Sequence, residues 1–463
     1  MLECHETSSE IKYLSDMIEC PSCGLFQKRL TLNHGELAYC ERCHRQLYRH
    51  PQAKSWQVPF AFALCSLIAY IMMLSFPLLT VNIYGRENSL SVIDGPITFF
   101  HEGWRAVGIL VGMVIIFFPV VTIGLSLILL SLEQKKEQPS WTAPLLHCYK
   151  LLRPWSMIEV YILGVFVAYT KLVDMAYVTI DYALYAILLL MVCMSITDAT
   201  FDFINLWKRC PIKKKTTVGS QKKNISVTEY QSEEIPNTNY LFSCQSCHLV
   251  FASENPVPSE EKIAKCPRCG QVMRKRKKDS LARAGALLIS AFILYIPANL
   301  YPVMTMTMMG KSSDHRIFQG VVELWQSHMV PLALLVFFAS IIVPVSKIIG
   351  IVFMISACMK RSKRALIFRS RLFQVICFIG RWSMIDVFMI SILIALIRFN
   401  LLANVVADGG IFAFASVVIL TIFAADCFDP RLMWDYAGLN STFEVDRSGR
   451  ESAVKKQIQL VTL

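Results

Sequence analysis

The sequence predicts a polytopic α-helical membrane protein, a tandem repeat of a four-helix transmembrane module, each copy preceded by a small cytoplasmic four-cysteine zinc ribbon. Three observations predict it. Apolar stretches longer than the roughly 20 residues needed to cross a bilayer recur along the 463 residues. Paired CxxC motifs precede each of two apolar blocks: Cys20, Cys23, Cys40 and Cys43 before the first, Cys244, Cys247, Cys266 and Cys269 before the second. The blocks also echo one another. FPLLTV (76–81) returns as YPVMTM (301–306), RPWSMIEV (153–160) as GRWSMIDV (380–387), and Asp198 as Asp426, all at offsets of 224 to 228 residues. A repeat of this length governs every later reading, and tandem membrane repeats are common in transport proteins.

Composition supports the class. With 54% hydrophobic and only 17% charged residues, the chain lacks the groups that keep a soluble surface wet. The net charge of +12 lies in basic runs beside membrane segments, at 206–215, 274–278 and 360–364. There it sets topology and argues against a nucleic-acid partner. Residues 1–55 are polar and carry no secretory signal pattern.

In chain order, residues 1–56 read as the N-terminal ribbon and 57–205 as the first four-span module. Residues 206–241 read as a polar, flexible cytoplasmic linker, 242–280 as the second ribbon, 281–430 as the second module, and 431–463 as a cytoplasmic tail. Each ribbon needs two tight CxxC turns, brought together by intervening strands. Sixteen residues separate Cys23 from Cys40 and eighteen separate Cys247 from Cys266. Four thiolates then enclose Zn²⁺ tetrahedrally, one ion per ribbon, although spacing alone leaves iron open. His34, His44 and His248 lie nearby, but the ligand count is complete without them. A closed four-sulfur site folds its domain and leaves no position for a substrate.

Eight spans are expected, near 59–81, 105–131, 155–173, 179–200, 283–305, 329–357, 382–399 and 408–427. Lys/Arg-rich loops alternate with loops poor in both, which puts both termini and both ribbons in the cytoplasm. Pro77 and Pro302, and Pro119 and Pro344, fall at equivalent places and are expected to bend their helices.

Ionisable residues inside spans are costly unless paired or wet. Lys347 interrupts the sixth span, Asp198 and Asp426 lie near the ends of the fourth and eighth, and Thr421 is five residues before Asp426. Asp198, Lys347 and Thr421 are expected to form a polar network facing the protein interior. Glu159 and Asp386, four residues after Trp155 and Trp382, are secondary candidates with Asp426. Lys347 has no charged counterpart in the first half, where its repeat position holds Thr122. No catalytic constellation appears. MGKSS (309–313) lacks the leading glycine of a phosphate loop, and no HExxH, GxSxG or dinucleotide fingerprint is present. A transporter component, a regulatory or scaffolding membrane protein, and a quinone-linked redox enzyme are the classes left. Absent haem-type histidine pairs disfavour the last.

Two CxxC/CxxC modules alternating with four-span blocks that carry PWSMIEV and RWSMIDV resemble the paraquat-inducible protein A family, in particular its YebS/LetA intermembrane lipid-transport members. The resemblance runs from Cys20 to about Asp429. It implies a bacterial inner-membrane protein that moves phospholipid with a periplasmic MCE-domain tunnel partner to maintain the outer membrane. It also implies a transport role for Asp198, Lys347 and Thr421.

Overall fold

A computed structural model describes residues 11–439 apart from 30–31, 34, 50–55, 84–85, 136–137, 174–176, 214, 219–222, 231–237, 254–259, 261, 309–310, 327–329 and 398–402. His34 lies outside the described residues. Eight helical segments are long and apolar enough to span a membrane: Gln57–Ser75, Arg105–Glu133, Thr142–Val173, Tyr182–Thr200, Ser280–Leu300, Ala333–Met359, Leu366–Leu396 and Gly409–Cys427. The protein is thus polytopic and helical, as the sequence predicts.

Proline chemistry explains where the span edges differ. Spans one and five end at Ser75 and Leu300, because Phe76 and Tyr301 precede Pro77 and Pro302 and adopt extended backbone (ψ 152° and 147°). A residue before proline is pushed out of the helical region, so these prolines end their helices rather than bend them. FPLLTV and YPVMTM then continue as strands Leu79–Ile83 and Met304–Met308. Each pairs with a strand of the loop between its module's first two spans (Arg86–Leu90; Lys311–His315) and with the turn joining the module's last two spans (Tyr177–Ile180; Ala403–Ala407). A three-stranded sheet thereby closes the end of each module away from the ribbons, pinned by Thr80 Oγ1 donating to Asp181 at 2.6 Å and by Thr305 donating to Asp408. Pro119 and Pro344 follow five-residue π-turns, Met113–Phe117 and Phe338–Ile342, at equivalent points of spans two and six. The wider turn accommodates the missing N–H and the ring without breaking the span. Spans three and seven start earlier than predicted, so part of each expected basic loop is helical.

Span one packs along span four, span five along span eight, and the equivalent spans three and seven meet each other between the modules. Gly164 permits that approach. A Cβ there would sit 2.9 Å from Cβ of Phe388, and the Tyr161 and Phe388 rings meet edge-on at 5.7 Å. In their most apolar 18-residue stretches, 67% of the residues of span seven are buried against 22% of those of span five; span five turns Ile289, Phe292 and Ile293 outward, an apolar face suited to lipid.

The ribbons cross over. Cys20, Cys23, Cys40 and Cys43 belong to a buried cluster with Ala284, Leu288, Ile351, Phe428 and Trp434 of the second half. Cys244, Cys247, Cys266 and Cys269 instead cluster with Leu125, Leu129, Leu146 and Leu206 of the first half. The stretch expected to be a flexible linker also carries structure. Strands Lys215–Val218 and Lys223–Glu229 form a hairpin whose second strand pairs in parallel with Ile11–Leu14. Ile11–Leu14 in turn pairs antiparallel with Val250–Ala252 of the second ribbon, so one sheet joins the N-terminal segment, the hairpin and the second ribbon. Partnering along this sheet supplies what the polar hairpin sequence lacks in apolar period.

A buried ionic cluster fixes the crossing. Glu19 Oε1 accepts from Arg276 Nη1 at 3.1 Å and from Arg431 Nη1 at 3.0 Å, while Ser243 donates to its other oxygen. Arg431 binds Asp429 through two further hydrogen bonds of 2.9 and 2.8 Å, and Arg276 reaches Asp435 at 2.5 Å. Burial raises the Asp429 carboxyl, but the Arg431 guanidinium outweighs it and holds the group down at about 2. Arg42 adds a stacked contact 5.0 Å above the Trp434 ring.

Candidate metal centres and intramembrane polar residues

Each ribbon brings four buried thiols together, with every sulfur within 4.8 Å of the others. Cys20–Cys43 and Cys23–Cys40 lie 3.6 and 3.5 Å apart; Cys244–Cys269 and Cys247–Cys266 lie 3.5 and 3.6 Å apart. A tetrahedron of sulfurs around a metal at about 2.3 Å has edges of about 3.8 Å, so both sets fit a four-coordinate ion. Local geometry explains the motif. In each turn the first cysteine's carbonyl accepts an N–H from the residue after the second cysteine: Gly24, His44, His248 and Gly270, at 2.8–2.9 Å. All four adopt positive φ, between 55° and 75°. His44 is exposed and stands outside its sulfur cluster. His248, expected as a surface residue, is half-buried, with its ring nitrogen 2.8 Å from Lys150 Nζ of span three.

The structure divides the expected polar network. Lys347 is 2% exposed, and its Nζ lies 3.4 Å from Thr421 Oγ1, itself fully buried. Among the described residues no carboxylate comes within 4 Å of that ammonium. Asp198 lies elsewhere, in the first half: the Nε and Nη2 of Arg153 both reach its Oδ2, and Tyr149 Oη donates to its Oδ1 at 2.6 Å. Asp198 and Lys347 are therefore two sites: Asp198 is satisfied within the first module, and Lys347 meets Thr421 within the second. Glu159 and Asp426 are exposed. Asp386, the repeat equivalent of Glu159, is 4% exposed on span seven, and both its oxygens lack a hydrogen-bond partner.

Sequence reading missed the partners. Arg153 of the first repeat aligns with Gly380 of the second, and Thr122 with Lys347. A Cβ on Gly380 would stand 2.6 Å from Lys347 Cε. One half thus carries its cation on span three, half-buried at Arg153, and the other carries it on span six, buried at Lys347, where glycine makes the room. This paired exchange was visible in the aligned repeats.

Comparison with known proteins gives a consistent result. The family described as "Paraquat-inducible protein A" matches twice, at residues 56–211 and 281–437, which are the membrane modules without the ribbons. The chain is 30% identical over 427 residues to the "Intermembrane transport protein PqiA" of Escherichia coli K12, covering 90% of this chain and 95% of that one. Against the "Lipophilic envelope-spanning tunnel protein A" of the same organism, identity is 26% over 422 residues, with 91% of each chain covered. A "Probable intermembrane transport protein" of Haemophilus influenzae is 26% identical over 433 residues, 92% of this chain and 97% of that one. No solved structure matches the chain. The chain belongs to the paraquat-inducible protein A family, and these relatives are named as intermembrane transport or envelope-spanning tunnel proteins.

Proposed function

We propose that this family member is the inner-membrane subunit of an intermembrane phospholipid transport system, passing lipid between the inner membrane and a periplasmic tunnel built by an oligomeric MCE-domain protein. The observation that carries the reading is the alignment of 90% of the chain with 95% of an intermembrane transport protein. A relative named as a lipophilic envelope-spanning tunnel protein supports the lipid cargo. Both termini and both ribbons face the cytoplasm, since the basic loops lie on the ribbon side. Each ribbon holds one zinc ion as a fold element, as four buried thiolates without an open position suit that ion.

Lys347 is the residue through which we read transport. An ammonium buried in a span without an acid costs several kcal/mol, and a site that keeps such a group is a functional one by default. Lys347 and Thr421 would receive a lipid phosphate or pass a proton when the spans around them open. Asp198, held by Arg153 and Tyr149, forms a second polar point at the ribbon end of the first module. Co-purification with an MCE-domain protein, combined with lipid photocrosslinking from position 347, tests the reading. Recovery of the partner and a lipid adduct is the expected result. Neither partner nor adduct, or a bound quinone that turns over, would overturn it.

A further inference from the structure

A cavity of about 1260 Å³ lies where the two ribbons meet the ribbon-side ends of the membrane helices. Its walls carry six cationic side chains and four carboxylates. Two of those carboxylates are already engaged: Asp198 by Arg153, and Asp202 by the backbone N–H of Asn205 at 3.0 Å, as a helix cap. Asp16 and Glu159, the other two, are exposed, and the Asp16 charge offsets only part of what burial and Arg268 impose on Arg29.

Among the described residues none of Arg29, Lys150, Arg268 and Arg381 has an ion-pair partner. They come from four different parts of the chain: the first ribbon, span three, the second ribbon and the 3₁₀ turn Gly380–Met384 within span seven. Arg29 and Arg268 stand near enough for their charges to act on one another. The Nε of each is buried without a hydrogen-bond acceptor. Two like charges held together, each with an orphaned buried donor, are costly unless an anion completes the site. Phe203, Trp207 and Phe378 add an apolar wall on the membrane side.

We infer that this cavity binds a phosphate-bearing ligand, with Arg29 and Arg268 as the paired guanidinium clamp and Lys150 and Arg381 as flanking cations. A guanidinium fork matches phosphate oxygens, and two forks facing one pocket match one phosphate better than any neutral group. The apolar wall favours a phosphate carried on a lipid over a free ion. The site is separate from Lys347 and Thr421, and it stands on its own geometry whether or not the chain moves lipid.

The test uses the purified full-length chain in nanodiscs of phosphatidylcholine. It is titrated separately with short-chain phosphatidylglycerol, sn-glycerol 3-phosphate and inorganic phosphate. Saturable binding of phosphatidylglycerol alone identifies a headgroup site, whereas binding of the soluble phosphates as well identifies a phosphoester site; both support the inference. Arg29→Gln and Arg381→Gln should each weaken that binding by about 10-fold or more, and Lys360→Gln, exposed and outside the cavity, should leave it unchanged. Metal content is measured in parallel. Where Arg29→Gln lowers it, the decision rests on Arg381→Gln, which lies outside both ribbons. No saturable binding of any probe, or binding that both substitutions leave intact, overturns the inference.

Discussion

Replacing Lys347 by methionine should stabilise the protein while stopping its work. The ammonium is 2% exposed, and its one hydrogen bond, to Thr421, is long at 3.4 Å. Losing that bond forfeits about 0.5–1.5 kcal/mol at most. Removing an unpaired buried charge recovers several kcal/mol, and methionine fills nearly the same channel beside Gly380. The net expectation for Lys347→Met is stabilisation by about 1–4 kcal/mol, seen as a higher midpoint for thermal unfolding in detergent. Lipid delivery to the partner, measured with labelled phospholipid in reconstituted vesicles, should fall at least about 10-fold, since each 1.4 kcal/mol of lost interaction is one decade. Gly380→Ala is the companion: its new methyl displaces Lys347 Cε, so it should impair delivery with the charge retained. A Lys347→Met protein that is less stable by more than about 1 kcal/mol, yet delivers lipid normally, would refute the reasoning and leave the lysine a packing residue.

Four further outcomes are expected. Asp198→Asn should lower stability by about 1–2 kcal/mol, discounted because the Arg153 pair is partly open to solvent at 22% and 29%. Its effect should add to that of Thr421→Val within about 0.5 kcal/mol, as befits separate sites; strong coupling in the double mutant would rejoin them. Asp429 has a folded carboxyl held at about 2, below its unfolded value of 3.8. Its stabilising contribution, about 2 kcal/mol, is present above pH 4 and lost as pH falls toward 2. The stability gap between wild type and Asp429→Asn should therefore close over that window, and a gap independent of pH would reject the assignment. Cys20→Ser should raise hydrogen exchange in spans five to eight more than in spans one to four, because the first ribbon docks on the second module; metal analysis should show the loss of one ion of two.

Much of this architecture is legible because its causes are local. Spans follow from apolar length, and the thiol clusters from CxxC turns that force the fifth residue into positive φ. The rest depends on distant partners. Nothing near Glu19 announces Arg431, 412 residues away, so the crossing of the ribbons leaves no local pattern. The hairpin at 215–229 reads as linker since its strands are short and polar, and only pairing with Ile11–Leu14 makes them strands. Asp198 and Lys347 invite pairing in the sequence because two opposite charges in apolar surroundings should seek each other. Arg153 was nearer, inside a motif read for its repetition rather than its charge.

The crossing also sets an order of events during synthesis. The first ribbon leaves the ribosome long before Arg276, Asp429 and Arg431 exist, and at about 5–20 residues per second its acceptor surface follows on the order of 20–80 s later. Glu19 gains Arg276 only part-way through that interval and Arg431 only at its end, when the apolar face around Phe428 and Trp434 is also made. The last helices to emerge thus receive the first domain to fold. A nascent chain interrupted anywhere before Asp429 keeps an undocked ribbon, a mark by which quality control can distinguish unfinished copies from finished ones.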